Sequence, residues 1–477
     1  MSNRRSSRYW VLLLSYTCLM VVVSQAAGAV RLPHVISDNM VLQCDMPVPI
    51  WGWATAGEKV TVTFGAQTRT TTADKDGKWK VSLDKLAASS TPAELTVTGS
   101  AAAEQGPGKI VVKNVLVGEV WFAAGQSNMY LEMKSLRPER LAQELDAANY
   151  PNIRVMKVPN RKSATPAEDA NVSWHPCNAG SIREFSAVSY FFARDLHKEL
   201  KVPVGIMCAA IGGEFIEEYA PSLRGGAYRG MVAPVVPFAI RGVIWYQGEA
   251  NAIQGDGMKY VAKQEALVAD WRKAWGQGDF PFYYVQIAPC NFKQYKGDSL
   301  PILWQAQRAC LSIPNTGMVV TTDLVSDGIR NIHPRNKWDV GKRLALWALA
   351  NTYGRNDLIY SGPLYKSMSV EGDKVTIRFD HVGGGLAARG GGELNYFIVA
   401  GRDGKFVEAT AKIARSAGSK VDDIVIVSSP QVPQPMVVRF AWDKAALPNL
   451  FNKEGLPASP FTTEPLEELA KLQAQPG

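Results

Sequence analysis

Residues 116–129 read LVGEVWFAAGQSNM, an apolar run that ends abruptly in small and polar residues. Four similar runs follow it, and the five predicted strands are Leu116–Ala124, Val202–Ala209, Ile240–Tyr246, Phe282–Ile287 and Met318–Thr322. Amphipathic stretches alternate with them, at Ala187–Leu200, Tyr260–Trp275, Leu303–Ser312 and Pro334–Tyr353. Strand–helix alternation predicts a parallel sheet with helices on both faces, so we assign residues 112–358 to an α/β domain.

The residues on either side of this domain have β character. Residues 30–111 contain short alternating runs such as Lys59–Phe64 and Lys78–Leu83, with Asp and Gly at the turns. Alternation returns after residue 358, as in Lys374–Phe379. We therefore predict an N-terminal β-sandwich domain at 30–111 and a C-terminal β-rich domain at 359–477.

Residues 1–29 have the pattern of a secretory signal peptide. Three arginines, Arg4, Arg5 and Arg8, precede an apolar run at residues 10–23, and Ala27-Gly28-Ala29 offers a small-residue cleavage site. The run is short for a membrane span, so we predict a secreted or periplasmic protein without stable membrane insertion. One of the six cysteines lies in this segment, and no two of the rest have C-x-x-C spacing, which disfavours zinc.

The composition of the 477-residue chain argues against two other classes. Hydrophobic residues make up 46% and charged residues 20%, which is typical of a globular protein rather than a disordered one. The net charge of +8 falls to +5 once the three arginines of the signal segment are removed. Lys and Arg form no dense cluster, so nucleic acid is not an expected partner.

Active residues of open α/β sheets gather beyond the carboxyl ends of the strands. Three predicted strands end in suitable residues: Ser127 after the first, Gly212-Gly213 after the second, and Gln247 with its polar neighbours after the third. Ser127 could be an exposed nucleophile or a helix cap. The glycine pair could offer backbone N–H groups to an anion or only form a turn, and the third segment could be a plain polar loop.

His333 is the histidine best placed to act as a base. It lies where a strand has ended and a helix is predicted to begin, with Pro334 at the first helical position. The positive end of a helix favours the neutral imidazole that a general base requires; a structural cap is the alternative. Ser127 would then attack a carbonyl and His333 would take its proton, while donors near Ser127, Gly213 and Gln247 hold the oxyanion.

These motifs resemble those of the bacterial sialate O-acetylesterase family, a branch of the SGNH hydrolases. The blocks that carry the resemblance are residues 125–129 (GQSNM), 245–249 (WYQGE) and 332–334 (IHP), with 40–43 (MVLQ) and 455–461 (GLPASPF) extending it over nearly all of the mature chain. The resemblance implies a flavodoxin-like three-layer SGNH domain. It also implies an exported esterase that removes acetyl groups from carbohydrate hydroxyls without a metal or organic cofactor.

The resemblance also implies roles for individual residues. Ser127 would be the nucleophile and His333 the base, and the oxyanion hole would comprise Ser127, Gly213 and Gln247. The supporting or substrate-binding residues would be Gln126, Asn128, Glu249 and Asn251. Many SGNH enzymes have an aspartate three residues before the histidine, where this chain has Arg330. We prefer Asp327 as the third catalytic residue, with Asp323 or a backbone carbonyl as alternatives.

Other functions stay open at this point. A glycosidase needs two carboxylates flanking the scissile bond, and the acidic residues near the inferred site are Glu119, Glu214, Glu217, Glu218 and Glu249. A non-catalytic glycan-binding protein could stack Trp51 and Trp53 on sugars, although such aromatic residues also form β-sandwich cores.

The sugar specificity of an esterase stays open as well, because it resides in loops. Sialate esters and the acetyl esters of plant or algal polysaccharides such as xylan are the alternatives. An arginine that binds the sugar carboxylate would favour sialate, and the candidates are Arg154, Arg224, Arg229 and Arg330.

Overall fold

The computed structural model describes residues 30–100, 108–326 and 328–472, so the predicted signal segment 1–29 lies outside the described residues. Short strands make up the N-terminal region: β1 (Val41–Gln43), β2 (Val48–Trp53), β3 (Lys59–Phe64), β4 (Gln67–Thr72), β5 (Lys78–Leu83) and β6 (Ser89–Gly99). β2 pairs with β5, and β3 pairs with β4 and β6, all antiparallel. Buried and exposed residues alternate along β5, so one face of that strand packs on the core.

A single long strand connects this region to the α/β part of the chain. β7 (Lys109–Gly125) pairs with β6 along its first half and with a strand of the parallel sheet along its second half. The predicted boundary at residues 111 and 112 therefore falls inside one strand, because the β-branched run continues through it. The buried apolar residues from Val30 to Leu349 likewise form one cluster.

The central sheet has the predicted parallel strands, and its order positions the site. The strands that follow β7 are β8 (Asn149–Lys157), β9 (His175–Asn178), β10 (Val204–Ala210), β11 (Gly242–Tyr246), β12 (Phe282–Val285) and β13 (Thr316–Val319). The order is β13-β12-β11-β7-β10-β8-β9, with β9 alone antiparallel. Without the edge pair β8 and β9, this is the flavodoxin order 2-1-3-4-5, whose switch point lies beside β7.

The helices cover both faces of this sheet. They are α1 (Ser127–Tyr130), α2 (Pro138–Ala147), α3 (Ala179–Arg183), α4 (Ala187–Leu200), α5 (Glu249–Gln254), α6 (Tyr260–Trp275), α7 (Ser299–Ala309) and α8 (Lys337–Asn351). Adjacent residues of a strand point to opposite faces. Trp121 of β7 meets Phe192 of α4 at 5.0 Å between ring centroids, while Phe122 meets Trp271 of α6 at 5.5 Å. The predicted three-layer α/β class is thereby confirmed.

One helix starts later than the sequence predicts. α8 begins at Lys337, because the side chain of Asn336 accepts a hydrogen bond from the backbone N–H of Asp339 and caps the helix there. Pro334 is therefore not the first helical residue, and His333 does not lie at the helix mouth. The prediction that the positive end of the helix acts directly on His333 was wrong.

The C-terminal region consists of antiparallel sheets, as predicted. Its strands are β14 (Leu364–Glu371), β15 (Lys374–Asp380), β16 (Leu386–Ala388), β17 (Phe397–Ala400), β18 (Val407–Glu408), β19 (Thr410–Ala414), β20 (Ile424–Ser428), β21 (Val437–Phe440), β22 (Leu450–Asn452) and β23 (Phe461–Thr462). The sheets are β14-β15-β20-β19, β18-β17-β21-β23 and the pair β16-β22. Their buried residues form a core of their own, and α9 (Leu466–Leu472) follows them.

The described residues also bear on membrane spans and disulfides. In this part of the chain no helix combines the length and the apolar character that a bilayer crossing requires. Its five cysteines, Cys44, Cys177, Cys208, Cys290 and Cys310, are all buried and unpaired thiols.

Candidate active site

Ser127 and His333 meet at the carboxyl end of the parallel sheet. Ser127 is the first residue of α1, directly after β7, and His333 lies in the loop before α8. The Ser127 Oγ and the His333 Nε2 are 2.8 Å apart, a hydrogen-bond distance. Both side chains are half-buried. A hydroxyl held against an imidazole nitrogen is the geometry of an activated serine nucleophile.

The turn that presents Ser127 depends on Gly125. Its φ of +140° is unfavourable for other residues. A Cβ at this position would lie 2.1 Å from the backbone oxygen of Tyr246 in the neighbouring strand. The turn is held to the end of β11, since Gln126 donates its N–H to the Tyr246 oxygen at 2.9 Å. The side-chain oxygen of Gln126 also accepts from the N–H groups of Gly248 and Ala250.

Backbone donors surround the nucleophile. The glycine pair after β10 lies against Ser127, since a Cβ on Gly212 would be 3.9 Å from the Ser127 Cβ. Gly212 and Gly213 are exposed. Within the described ranges, the N–H groups of Ser127 and Gly213 donate to no protein acceptor. These two groups are therefore available to an anion.

Gln247 is more constrained than the sequence suggests. It is fully buried, and its amide nitrogen donates to the backbone oxygen of Glu214 at 3.1 Å and to Asn251 Oδ1 at 2.5 Å. Its amide oxygen accepts from the Tyr260 hydroxyl at 2.8 Å. Donation from Gln247 to an oxyanion would require one of these bonds to exchange, so its place in the oxyanion hole stays a prediction.

Asn128 connects the nucleophile turn to the histidine loop. Its side-chain nitrogen donates to the Ile332 backbone oxygen at 3.0 Å and to Glu249 Oε1 at 2.5 Å, and its oxygen accepts from Lys337 Nζ at 2.6 Å. Asn128 and Glu249 are buried. Burial raises the pKa of the Glu249 carboxyl. Of the supporting and substrate-binding roles that the sequence allowed, these buried contacts agree with support of the Ser127–His333 pair.

Asn251 has a similar supporting position below the third loop. It is fully buried, and its side-chain oxygen accepts from the backbone N–H of Ile216 at 3.2 Å. Its nitrogen donates to Glu217 at 2.9 Å and to Asp256 at 2.5 Å. Of the two roles that the sequence allowed, loop support agrees with this burial and sugar binding does not.

The surroundings of His333 favour its neutral form. Burial of the imidazole and, secondarily, the positive charge of Lys337 lower the pKa of His333 below its ordinary value. A neutral imidazole can accept the serine proton at neutral pH. The conclusion drawn from the sequence therefore stands for a different reason, namely desolvation and a buried lysine instead of a helix end.

The structure describes one of the two aspartates considered for the third catalytic position. Asp327 lies outside the described residues, so its pairing with His333 stays a prediction. The alternative, Asp323, is engaged elsewhere: it accepts from Arg343 at 2.7 and 2.8 Å and from Arg389 at 2.9 Å. Burial alone would raise the pKa of Asp323. The hydrogen bond and charge of Arg343 outweigh this effect and lower the pKa below its ordinary value.

The carboxylates that a glycosidase would need are engaged in ion pairs or hydrogen bonds with other residues. The shortest ion pairs join Glu119 to Arg241 at 2.7 Å, Glu214 to Lys162 at 2.7 Å and Glu217 to Lys263 at 2.6 Å. Glu218 lies 3.7 Å from Lys162 and Glu249 is buried against Asn128. These contacts leave no pair of unengaged carboxylates among the acidic residues that the sequence singled out.

One group in the described chain has metal-ligand chemistry. Cys44, Asp45 and Glu119 bring their ligand atoms within 4.8 Å of one another. Glu119 is already bound by Arg241, and burial raises the pKa of the Cys44 thiol well above its ordinary range. A protonated thiol beside an arginine does not suit a cation.

Two residues of the site carried no sequence signal. Lys337 is buried and donates a hydrogen bond to the Asn128 side chain. After burial, its positive charge is the second cause of the lowered pKa of His333. Tyr219 donates its hydroxyl to the Gly125 backbone oxygen at 2.8 Å and so supports the nucleophile turn. Each lies on an element whose approach to the site depends on the tertiary fold.

Comparisons with known proteins identify the family of this chain. The family model described as carbohydrate esterase, sialic acid-specific acetylesterase matches residues 117–350. The sialate O-acetylesterase of Pongo abelii is 30% identical over 72% of this chain and 76% of its own length, and that of Homo sapiens is 29% identical over the same shares. A carbohydrate acetylesterase from Xanthomonas citri is 37% identical in its solved structure, covers 91% of this chain and 100% of its own, and superposes with a TM-score of 0.84.

These likenesses extend well beyond the catalytic motifs. The Xanthomonas citri structure shares the fold over nearly the whole chain, and the matched family model spans both Ser127 and His333. They confirm the resemblance drawn from the motifs. The chain belongs to the sialic acid-specific acetylesterase family of carbohydrate esterases.

Proposed function

We propose that this carbohydrate O-acetylesterase works through Ser127 and His333. The observation that carries the proposal is the 2.8 Å contact between Ser127 Oγ and His333 Nε2. Oγ attacks the acetyl carbonyl while His333 takes its proton, and the N–H groups of Ser127 and Gly213 stabilise the oxyanion. His333 then gives the proton to the leaving sugar hydroxyl, and water activated by His333 releases acetate from the acyl-enzyme.

Asp327 and Gln247 also belong to the proposed mechanism. Asp327 would orient His333, as an aspartate does in other serine hydrolases. Gln247 would join the oxyanion hole if its bond to the Glu214 oxygen is exchanged when substrate binds. Export of the mature chain through the signal segment at residues 1–29, to the periplasm or outside the cell, is also part of the proposal.

We propose an O-acetylated sialic acid as the first substrate, with neutral plant or algal acetyl esters as the alternative. Arg330 supports sialate, since it is exposed and, among the described residues, pairs with no carboxylate. The other arginines are engaged. Arg154 is buried against Asn39 and Asn114, Arg229 donates to two backbone oxygens, and Arg224 lies 3.9 Å from Glu218.

Acetate release tests the proposed mechanism. The purified chain is given a small acetyl ester and O-acetylated sialic acid, beside the variants Ser127→Ala and Ser369→Ala. Ser369 is an exposed serine of β14 and is the matched control. We expect Ser127→Ala to lose at least about a thousandfold in kcat, and Ser369→Ala to match the parent. Full activity in Ser127→Ala would overturn the mechanism.

Arg330→Ala tests the sugar. If Arg330 binds the sialate carboxylate, its loss raises KM for O-acetylated sialic acid by about tenfold and leaves the small neutral ester unchanged. Arg402→Ala, an exposed arginine of the C-terminal region, is the control. Equal kinetics of Arg330→Ala and the parent on both esters would favour the neutral carbohydrates.

A further inference from the structure

A cleft of about 380 Å³ lies where the N-terminal sheet meets the α/β region. Its lining comes from two sides, the antiparallel pair of β2 and β5 with Asp74 on one and residues 167, 168, 233, 236 and 237 on the other. The volume falls in the range of ligand sites. None of the residues that the active site uses lines this cleft.

Tryptophans dominate the side of the cleft that β2 and β5 form. Trp51 and Trp53 are two residues apart on β2, so both side chains point to the same face, and both are half-buried. Arg31 covers Trp53, with its guanidinium 3.8 Å from the ring centroid. No ring or cation of the described chain stacks on Trp51. Trp51 packs partly against the core, and the remainder of its half-buried side chain lines the cleft and is open to a ligand.

A third tryptophan in the cleft has an unmet hydrogen bond. Trp79 is 3% exposed, and its indole N–H has no partner among the described residues. Trp79 points to the face of β5 opposite to that of Lys78 and Lys80, toward the core, so its N–H is not reached from the cleft. The class of ligand is therefore argued from Trp51, because the apolar ring face of a sugar packs on an indole ring.

The charges around the cleft balance. In the pairing of β2 with β5, Lys78 lies opposite Trp53 and Lys80 lies opposite Trp51. Lys78 Nζ is paired with Glu168 Oε1 at 2.6 Å across the cleft, and Asp74 supplies a second carboxylate. Two lysines against two carboxylates give no net charge. This balance favours a neutral sugar over an acidic one such as sialic acid.

One loop connects the cleft with the catalytic residues. It leaves the carboxyl end of β8 and carries Lys162, which pairs with Glu214 at 2.7 Å, next to Gly213. Six residues later Glu168 pairs with Lys78 in the cleft. Both sites therefore lie along one loop of the surface, as an extended substrate requires.

We propose that this cleft is an accessory glycan subsite. It binds a neutral sugar unit of the same chain whose acetyl ester is cleaved at Ser127, with Trp51 as the stacking platform. The identity of the glycan in the cleft rests on the proposed function. The binding of a neutral sugar there does not.

Binding is measured in a chain that cannot turn over. Ser127→Ala is titrated by calorimetry with three neutral oligosaccharides, xylohexaose, cellohexaose and mannohexaose, and with N-acetylneuraminic acid. Trp51→Ala and Trp51→Phe are each added to this background, and Tyr396→Ala, an exposed aromatic residue outside the cleft, is the matched control. We expect at least one neutral oligosaccharide to bind. Its Kd should rise about five- to tenfold in Trp51→Ala and stay near the parent value in Trp51→Phe and Tyr396→Ala.

Turnover separates failure of the subsite from failure of the proposed function. In the chain with Ser127 intact, Trp51→Ala should keep the parent kcat/KM on a small acetyl ester, which also shows that the variant folds. It should raise KM on an acetylated form of the neutral glycan that binds. No binding of any of the three neutral oligosaccharides, or equal Kd values with and without Trp51, would overturn the subsite. So would a loss confined to N-acetylneuraminic acid. Absent ester hydrolysis in the parent would instead overturn the proposed function.

Discussion

Asn128 shows how one amide can hold a catalytic pair in place. It follows the nucleophile directly, yet its side chain reaches the Ile332 oxygen next to His333 and the Lys337 ammonium on α8. The residues on both sides of the Ser127–His333 contact are therefore anchored to a single buried group. Loss of the Asn128 amide should therefore disturb the contact between Ser127 and His333, although Asn128 itself is not part of that contact.

The variant Asn128→Ala should lose both stability and turnover. The change leaves the Glu249 carboxyl and the Lys337 ammonium without this partner in a buried place, which costs about 3 kcal/mol of the free energy of unfolding. Urea unfolding measures this loss, and acetate release below the unfolding transition measures kcat. Parent kcat in a destabilised chain would show that Asn128 supports the fold alone.

The pH profile tests the environment of His333. Burial and Lys337 lower its pKa, so the base is neutral and active at neutral pH. Activity is lost as pH falls through this pKa, because the protonated imidazole cannot accept the serine proton. Lys337→Gln removes the positive charge, raises the pKa of His333 and shifts the acid limb of kcat/KM toward higher pH. A limb that stays in place would rule out the effect of Lys337.

At the scale of residues, the sequence indicated the proposed nucleophile and base. It did not indicate the contacts of the buried side chains that hold them in place. Ser127 and His333 could be predicted because each follows the end of a strand in an unusual context. The bonds of Asn128 and Lys337 could not, since they join residues about 200 positions apart. Burial also changed the interpretation of Gln247, whose amide is already engaged below the surface.

Among the elements, the strand β7 and its turn are the most sensitive to a small change. Gly125→Ala places a methyl group against the Tyr246 oxygen and demands a φ that alanine avoids. We expect a loss of about 3 kcal/mol or more in the free energy of unfolding. Gly276→Ala is the matched control, because Gly276 also has positive φ but open space around it, and should lose only about 1 kcal/mol. Equal losses in urea unfolding would contradict the close approach.

The bounds of some helices were predictable to the residue, and those of others were not. α4 and α6 have the bounds that the pattern predicts. α8 starts three residues late because the Asn336 cap overrides the proline signal. The strand β8 escaped prediction because none of its first four residues is buried, and it becomes a strand by pairing with β10 and β9.

The whole molecule is held together by contacts that cross the predicted domain boundaries. β7 belongs to both the N-terminal sheet and the parallel sheet. The C-terminal region has its own core but reaches the α/β region through Arg389, which meets Asp323. Composition revealed the β, α/β, β order. It could not reveal that one strand is shared, because the change in composition occurs within β7 and not at a turn between two strands.

Asp323 provides a test at this scale, since it joins α8 to the C-terminal region through Arg343 and Arg389. Asp323→Asn removes the charge that compensates both arginines and should cost about 3 kcal/mol of the free energy of unfolding. The folded pKa of Asp323 is lowered, so its contribution is present above the unfolded pKa and is lost as pH falls through the folded value. The urea midpoints of parent and variant should therefore differ at pH 7 and converge in acid. Because Asp323 is not bonded to His333, kcat at 25 °C should match the parent; a large fall in kcat without loss of stability would return Asp323 to the catalytic site.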